Sequence, residues 1–428
     1  MRTMGEEQNE KSGWLKHLAL AILIALMIGG AACGGLNYYL RKCETCAPVP
    51  ASGALERVSA DEIDRRLAER EEERRLAAEK KAEEERLKKE AEEAERLRLE
   101  EEERIRNTPE TVTFAFAGDI LFDNRYATGQ VMAARGGFAP CLKSEVQDVM
   151  RGVDVMVINN EFPYTDGSSP QPDKEYTFHA GTSTASWLID AGIDLAALAN
   201  NHTFDYGEEG LLDTLHTLED IGMPYIGAGR NLDEAAKPAV YAFGDFTVAV
   251  LNATQIERFA VANTRGATET ESGVFRCFDP EELYARVEKA KEEYDYVIVF
   301  MHWGTEKEVQ PDWGQLDQQQ GLYEAGADIV IGAHPHVLQG FTYIGEMPIV
   351  YSLGNFLFTS HTLDTGIIRL TFAAKEKRLD SLQFLPMLQE GCEVKMLSGE
   401  EKERVLNDLR NLSSGVTIDA DGYIRRAE

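Results

Sequence analysis

Five apolar runs in this chain end in polar or ionisable residues. Asp119 closes VTFAFAGDI, with Asp123 close behind, and Asn159, Asn160 and Glu161 close DVMVINNEF. Asn200, Asn201 and His202 close DLAALANNH, His302 lies in YVIVFMHWG, and His334 and His336 follow DIVIGA. If these runs are strands of an open α/β sheet, the ligand site lies beyond their carboxyl ends. Carboxylates, amides and imidazoles gathered there are costly to bury without compensation. No Lys or Arg is among the closing residues themselves, so a divalent cation is the natural compensator. The donors are oxygen and nitrogen without sulfur, which suits Mn, Fe or Zn, one ion or two, better than a structural cysteine zinc. His334 and His336 are two residues apart, which on an extended segment puts both rings on one side, and Pro335 stiffens the bite.

The other histidines, His17, His179, His216 and His361, have no such company and read as ordinary surface or core residues. Asp205 admits two readings: it starts the next helix with Gly207, or it orients His202 from behind. Cys141, Cys277 and Cys392 are isolated and read as buried apolar residues.

The elements that must position these residues follow from the same runs. Together with FTVAVLNAT and PIVYSLGNFLF they are candidate buried strands, and residues 208–221, 280–294 and 316–325 between them are helix-like. Strand–helix–strand alternation with continuous apolar strands indicates an α/β domain over residues 111–428. Pro109 punctuates its start, and beyond Gly366 further strands (GIIRLTF, LQFLPML) and a short helix complete it.

Residues 61–106 are a different material, with 19 acidic and 14 basic residues and no Gly, Pro or aromatic. Glu precedes a base by four residues at Glu71/Arg75, Glu84/Lys88, Glu85/Lys89, Glu92/Arg96, Glu100/Arg104 and Glu102/Arg106. Such pairs support a helix, whereas Leu67, Leu76, Leu87 and Leu97 are too irregular for a clean coiled-coil seam. The expectation is a solvated single-helix stalk, a spacer of roughly 70 Å, with a charged linker as the alternative.

Before it, residues 18–35 (LALAILIALMIGGAACGG) are apolar throughout and just long enough to span a bilayer. No clean A-x-A site ends the run, so it reads as a retained signal anchor rather than a removed signal peptide. A lipoprotein reading through Cys33 has the poor residue Gly30 upstream. Residues 1–17 are then a short cytoplasmic N-terminus and 36–60 a linker, in a single-pass membrane protein with its domain extracytoplasmic. Cys43 and Cys46 in that linker read as exposed thiols or one local disulfide, because a redox motif needs a βαβ context.

Composition bounds the rest. The chain has 428 residues with 44 Lys+Arg against 74 Asp+Glu, a net charge of −30, which excludes a nucleic-acid partner of the usual basic kind. A hydrophobic content of 43% excludes wholesale disorder, and six cysteines are too few for a disulfide scaffold.

The strings GDILF, NNEFP, ANNHTFDYG, HWGTE, GAHPHVLQ and SLGNFLF, in this order, resemble the CapA family of poly-gamma-glutamate capsule biosynthesis proteins. That family is similar to calcineurin-like metallophosphoesterases, so the resemblance implies a four-layer α/β/β/α sandwich around two metals. It implies that Asp119 is the first aspartate ligand, Glu161 the bridging carboxylate and Asn201 the amide ligand. His302 and His334 would serve the second metal and His336 the first. Activated water would attack an electrophilic centre, and His202 would protonate the departing group. This chain departs from the pattern at Leu121, where the phosphoesterases have a histidine, and at Asn200, where they have a glycine. The partners implied are the membrane and the capsule polymer or its synthase complex. Three functions compete: a capsule-polymer processing protein, a surface metallophosphoesterase unrelated to capsule, and a non-enzymatic assembly factor.

Overall fold

The computed structural model describes residues 59–172, 174–256 and 264–427. The apolar run at 18–35 and the Cys43/Cys46 pair lie outside them. No helix among the described residues is long and apolar enough to cross a membrane.

The charged stretch forms one helix, α1 (Ala60–Asn107), with no buried residue. Ser59 Oγ accepts from the Glu62 amide at its start, and acids in the first turn and arginines in the last complement the helix dipole. The ion pairs differ from the simple i,i+4 expectation. Arg75 reaches Glu72 and Glu79, both at 3.8 Å, instead of Glu71. Arg98 likewise spans Glu95 and Glu102, both at 2.7 Å. A forked guanidinium on a long stem serves i−3 and i+4 together. Such exposed pairs, open to solvent and screened by salt, add little to the helix individually.

Eighteen strands follow among the described residues. The first are β1 (Thr111–Ile120), β2 (Val155–Asn160), β3 (Leu195–Ala197), β4 (Tyr225–Ile226) and β5 (Ala228–Gly229). Then come β6 (Ala239–Phe243), β7 (Phe246–Thr254), β8 (Gly273–Val274), β9 (Tyr296–His302) and β10 (Ile329–Ala333). Next are β11 (Phe341–Ile344), β12 (Met347–Val350), β13 (Asn355–Leu357) and β14 (Leu363–Ala373). The last are β15 (Arg378–Glu390), β16 (Glu393–Met396), β17 (Val416–Ile418) and β18 (Tyr423–Arg426). Between β1 and β4 lie α2 (Ala127–Arg135), α3 (Ser144–Arg151), α4 (Ser186–Ala191) and α5 (Gly207–Asp220). Between β5 and β10 lie α6 (Leu232–Ala235), α7 (Glu281–Glu293) and α8 (Trp313–Glu324), and α9 (Gly399–Leu412) precedes β17.

Ten strands form one sheet, in the order β17-β18-β15-β14-β1-β2-β3-β4 with β13 on β1 and β16 on β15. Six form a second, β11-β12-β10-β9-β7-β6. Both have parallel centres, β1 to β4 in the first and β7, β9, β10 and β12 in the second, with antiparallel flanks. Alternation along the strands builds three apolar layers. Phe114 and Phe116 of β1 share one cluster with Ile298 and Phe300 of β9, between the sheets. Ala115 and Ala117 turn instead toward the cluster of Leu211 and Leu215 from α5. Val297, Val299 and Met301 turn toward Leu283 and Val287 of α7. The layers are therefore helix, sheet, sheet, helix.

The run PIVYSLGNFLF, expected as one strand, is two strands in different sheets. It leaves the second sheet at Val350, turns at Gly354 (φ 62°) and joins the first at Asn355. The turn lets the Gly354 carbonyl accept from the Asp119 amide (3.0 Å). A Cβ on Gly118 would stand 1.8 Å from that carbonyl oxygen, so only glycine fits there. The pairing register of β1 shifts at this point, and a shift of this kind re-aims a side chain. Here the side chain is that of Asp119.

Candidate functional site

The carboxyl ends of β1, β2, β9 and β10 and the loop after β3 bring the predicted residues together. Asp119, Glu161 and Asn200 are fully buried, and His302, His334, Asn201 and His202 nearly so. Asn159 Nδ2 donates to Asp119 Oδ1 (2.6 Å) and to Glu161 Oε2 (3.3 Å), tying the two carboxylates together. His302 Nε2 lies 2.8 Å from Asn201 Oδ1, 3.0 Å from His334 Nδ1 and 3.5 Å from Glu161 Oε1. His336 Nδ1 lies 3.1 Å from Asp119 Oδ2 and 2.8 Å from Asn355 Oδ1, while its Nε2 is 4.0 Å from Glu161 Oε1.

Two sets of donor atoms have members all within 4.8 Å of one another: Asp119, Glu161 and His302, and Glu161, His334 and His336. Glu161 belongs to both. Its Oε1 is buried and has no hydrogen-bond partner. An orphaned buried carboxylate oxygen is costly, and this one faces two imidazole nitrogens. Imidazole nitrogens and carboxylate oxygens around such an atom fit a divalent cation.

The protonation behaviour follows from burial. Burial, reinforced by Asp119, holds the Glu161 carboxyl well above the usual carboxylate range. Burial, then the His334 and His336 neighbours, push His302 far down. Burial would lower His336 too, but its hydrogen bond and charge interaction with Asp119 outweigh that and raise it. Burial lowers His202 against the opposing pull of Asp205.

The His334-Pro335-His336 segment is not extended. His334 and His336 both have positive φ, 100° and 61°. The two rings therefore converge because the backbone turns, not because alternate side chains share a strand face. Left-handed backbone at two non-glycine residues costs energy and is characteristic of sites where position matters.

Asp205 begins no helix. Its Oδ2 lies 2.7 Å from His202 Nδ1 and accepts from the Phe178 amide (2.6 Å), and its Oδ1 pairs with Lys174. No side chain caps α5. Asn200 braces the same loop: its Oδ1 accepts from the amides of His202 and Thr203, both at 3.0 Å, and its Nδ2 donates to the Asn160 carbonyl (2.9 Å). Leu121 lies in the apolar cluster beneath α5 and offers no donor.

Three further residues belong to the site that the sequence pattern does not single out: Lys174, Phe178 and Asn355. Lys174 enters from the long β2–β3 loop and also donates to the Asn201 carbonyl. A basic residue thus does reach the site, from a segment whose composition carries no periodicity to reveal it, and it neutralises Asp205. Phe178 stacks on His202, with ring centroids 4.2 Å apart. Asn355 had a signal: it sits in SLGNFLF, whose polar residue interrupts an apolar run. Asp123 is buried but is held by Arg125 rather than by the donor cluster.

Residues 113–360 match the family model described as "Bacterial capsule synthesis protein PGA_cap". A "PGA biosynthesis protein CapA" of Bacillus subtilis is 31% identical over 265 residues, covering 61% of this chain and 67% of that one. A "Capsule biosynthesis protein CapA" of Bacillus anthracis is 30% identical over 318 residues, covering 70% and 73%. Among solved structures, one described as a novel phosphatase of Mycoplasma pneumoniae aligns at a TM-score of 0.41 and 13% identity, covering 65% of this chain and 94% of that one. A likeness that loose has no bearing on chemistry.

Proposed function

Because the chain belongs to the bacterial capsule synthesis protein PGA_cap family, we propose that it is a membrane-anchored, extracytoplasmic protein of capsule-polymer biosynthesis whose cluster is a metallophosphoesterase-like hydrolytic site. The observation that carries the site is the orphaned Glu161 Oε1, set between His302 and His336. Asp119, Glu161, Asn201, His302, His334 and His336 would hold one or two divalent ions. Such ions supply Lewis acidity and make water a stronger acid at neutral pH.

The chain's own residues do the rest. Asp205, neutralised by Lys174, fixes the ring of His202 through Nδ1. That leaves Nε2 to exchange a proton with the departing group. Asn355 and Asp119 hold His336 through Nδ1 in the same way. The bond cleaved would lie in an anionic polymer or its attachment, since the related proteins are named for capsule and PGA biosynthesis. The apolar run at 18–35 supports the anchor, and α1 would be the spacer beyond it.

Elemental analysis of the full-length protein tests the site. Wild type should carry Mn, Fe or Zn, and a double variant, His334→Ala with His336→Ala, should lose it. Equal metal content in both would remove the proposal. Metal-dependent release of aryl phosphate lost in His202→Ala would point to a phosphoesterase. Metal-dependent shortening of the polymer would point to processing.

A further inference from the structure

The β1–α2 turn carries a charged group that the hydrolytic reading does not use. Asp123 is fully buried, four residues past Asp119. Its carboxylate accepts from the Arg125 amide (2.9 Å), from Arg125 Nε (3.0 and 3.1 Å) and Nη2 (2.6 Å), and from the His179 amide (3.1 Å). Arg125 Nη2 also donates to the Thr177 carbonyl. The guanidinium is thus fixed along two of its nitrogens. Its third, Nη1, with two N–H donors, makes no hydrogen bond to a described residue, and the side chain is 42% exposed.

This arginine stands beside the candidate site. Thr177, its acceptor, precedes Phe178, whose ring stacks on His202 and whose amide bonds Asp205. Tyr126 contacts the same Phe178 ring at 5.3 Å, and His179 stacks on Tyr206 at 4.4 Å. The Nδ1 of His179 is itself buried and unpartnered, 3.8 Å from Asp123 Oδ2. An arginine that served only to hold the Thr177 carbonyl would not need a buried carboxylate behind it, since burying one costs several kcal/mol. A guanidinium held rigid with one nitrogen open is instead the usual reader of an oxyanion. Lys174, the cation that the β2–β3 loop brings to the site, is 8% exposed and bound to Asp205.

We propose that Arg125, oriented by Asp123 and flanked by His179, Tyr126 and Tyr206, forms an oxyanion subsite that grips an acidic group of the substrate next to His202. This deepens the reading of the cluster as a hydrolytic site on an anionic polymer, and rests on it. The shared chemistry is a carboxylate or a phosphoryl group.

The test uses the full-length protein and two probes, inorganic phosphate and a synthetic penta-gamma-glutamate peptide, with affinity read by calorimetry and folding by thermal melting. Arg125→Gln leaves the buried Asp123 carboxylate without its cation and should melt below wild type; at a temperature where it is folded it should bind the preferred probe about tenfold more weakly or worse, the loss expected for one charge-assisted contact. Arg125→Lys, which keeps the charge without the fork, should fall between. Peptide binding alone assigns a carboxylate chain, and phosphate binding alone assigns a phosphoryl group. Wild type binding neither probe, or a folded Arg125 variant binding as wild type does, overturns the subsite. The His334→Ala, His336→Ala double variant separates the two ideas. If it has lost metal yet binds the probe through Arg125, the subsite stands without the metal. If wild type holds no metal while binding remains Arg125-dependent, only the hydrolytic reading fails.

Discussion

Glu161 is the residue on which the energetics of the site turn. A carboxylate with one oxygen orphaned, beside a second buried carboxylate, is a liability that a cation would convert into an anchor. Glu161→Gln therefore has effects of opposite sign in the two states. The metal-free protein should become more stable, by about 1–3 kcal/mol, because a neutral amide replaces an acid that burial disfavours. The rise in melting temperature on adding Zn or Mn, which mass action gives to wild type, should disappear. Paired melting curves with and without metal check both. The pH dependence has a definite sign as well. The folded, metal-free Glu161 has a raised pKa, so its contribution to stability is present below the unfolded value and lost as pH rises through the folded one. His336 is raised too, while His302 is pushed down and already neutral. Metal must then displace protons from Glu161 and His336. Apparent metal affinity should fall as pH drops through and below neutrality, with proton release visible as buffer-dependent binding heat. Affinity independent of pH would contradict this account of the cluster.

At the level of elements, the site depends on how two strand ends are bent. Gly118 lets β1 approach the Gly354 carbonyl, and that approach aims Asp119 inward. Gly118→Ala should cost about 3 kcal/mol or more, in the range reserved for backbone clashes that cannot relax, and should abolish metal binding even where the protein still folds. A melting curve and a metal titration on the same sample check it, and a variant that binds metal normally would refute the role given to this glycine. The elements also mark what the sequence could reveal. Continuous apolar runs announced β1, β2, β7, β9 and β10, because strands buried on both faces have few other ways to be written. The donors at their ends were legible as a set, since polar punctuation after five buried runs is hard to explain otherwise. The bends were not. Nothing in His-Pro-His states that both histidines take positive φ. Nothing in PIVYSLGNFLF states that the chain changes sheet at Gly354, because composition near a turn constrains turning but not destination. Lys174 and Arg125 were invisible for a related reason. They act from loops, where no period links residue type to position.

For the whole molecule the governing quantity is charge. The net −30 includes 14 − 19 = −5 from residues 61–106, so the remainder of the chain carries −25. An acidic polymer approaching such a surface is repelled at long range. On the proposed reading its capture would rest on contacts that act within a few ångströms, from the cations the donor cluster would hold and from the guanidinium of Arg125. Screening length shrinks as salt rises, from about 30 Å at 0.01 M to about 8 Å at 0.15 M. Salt therefore weakens the repulsion before it weakens contacts made inside a partly buried site. The affinity for a polyanion such as polyglutamate should hold steady or rise over that range, the reverse of a binder that works through an exposed basic face, whose affinity falls steeply. Fluorescence titration of labelled polyglutamate against the full-length, metal-loaded protein at several salt concentrations decides between the two. A steep decline would mean that an exposed basic patch, rather than a local site inside an acidic surface, does the holding.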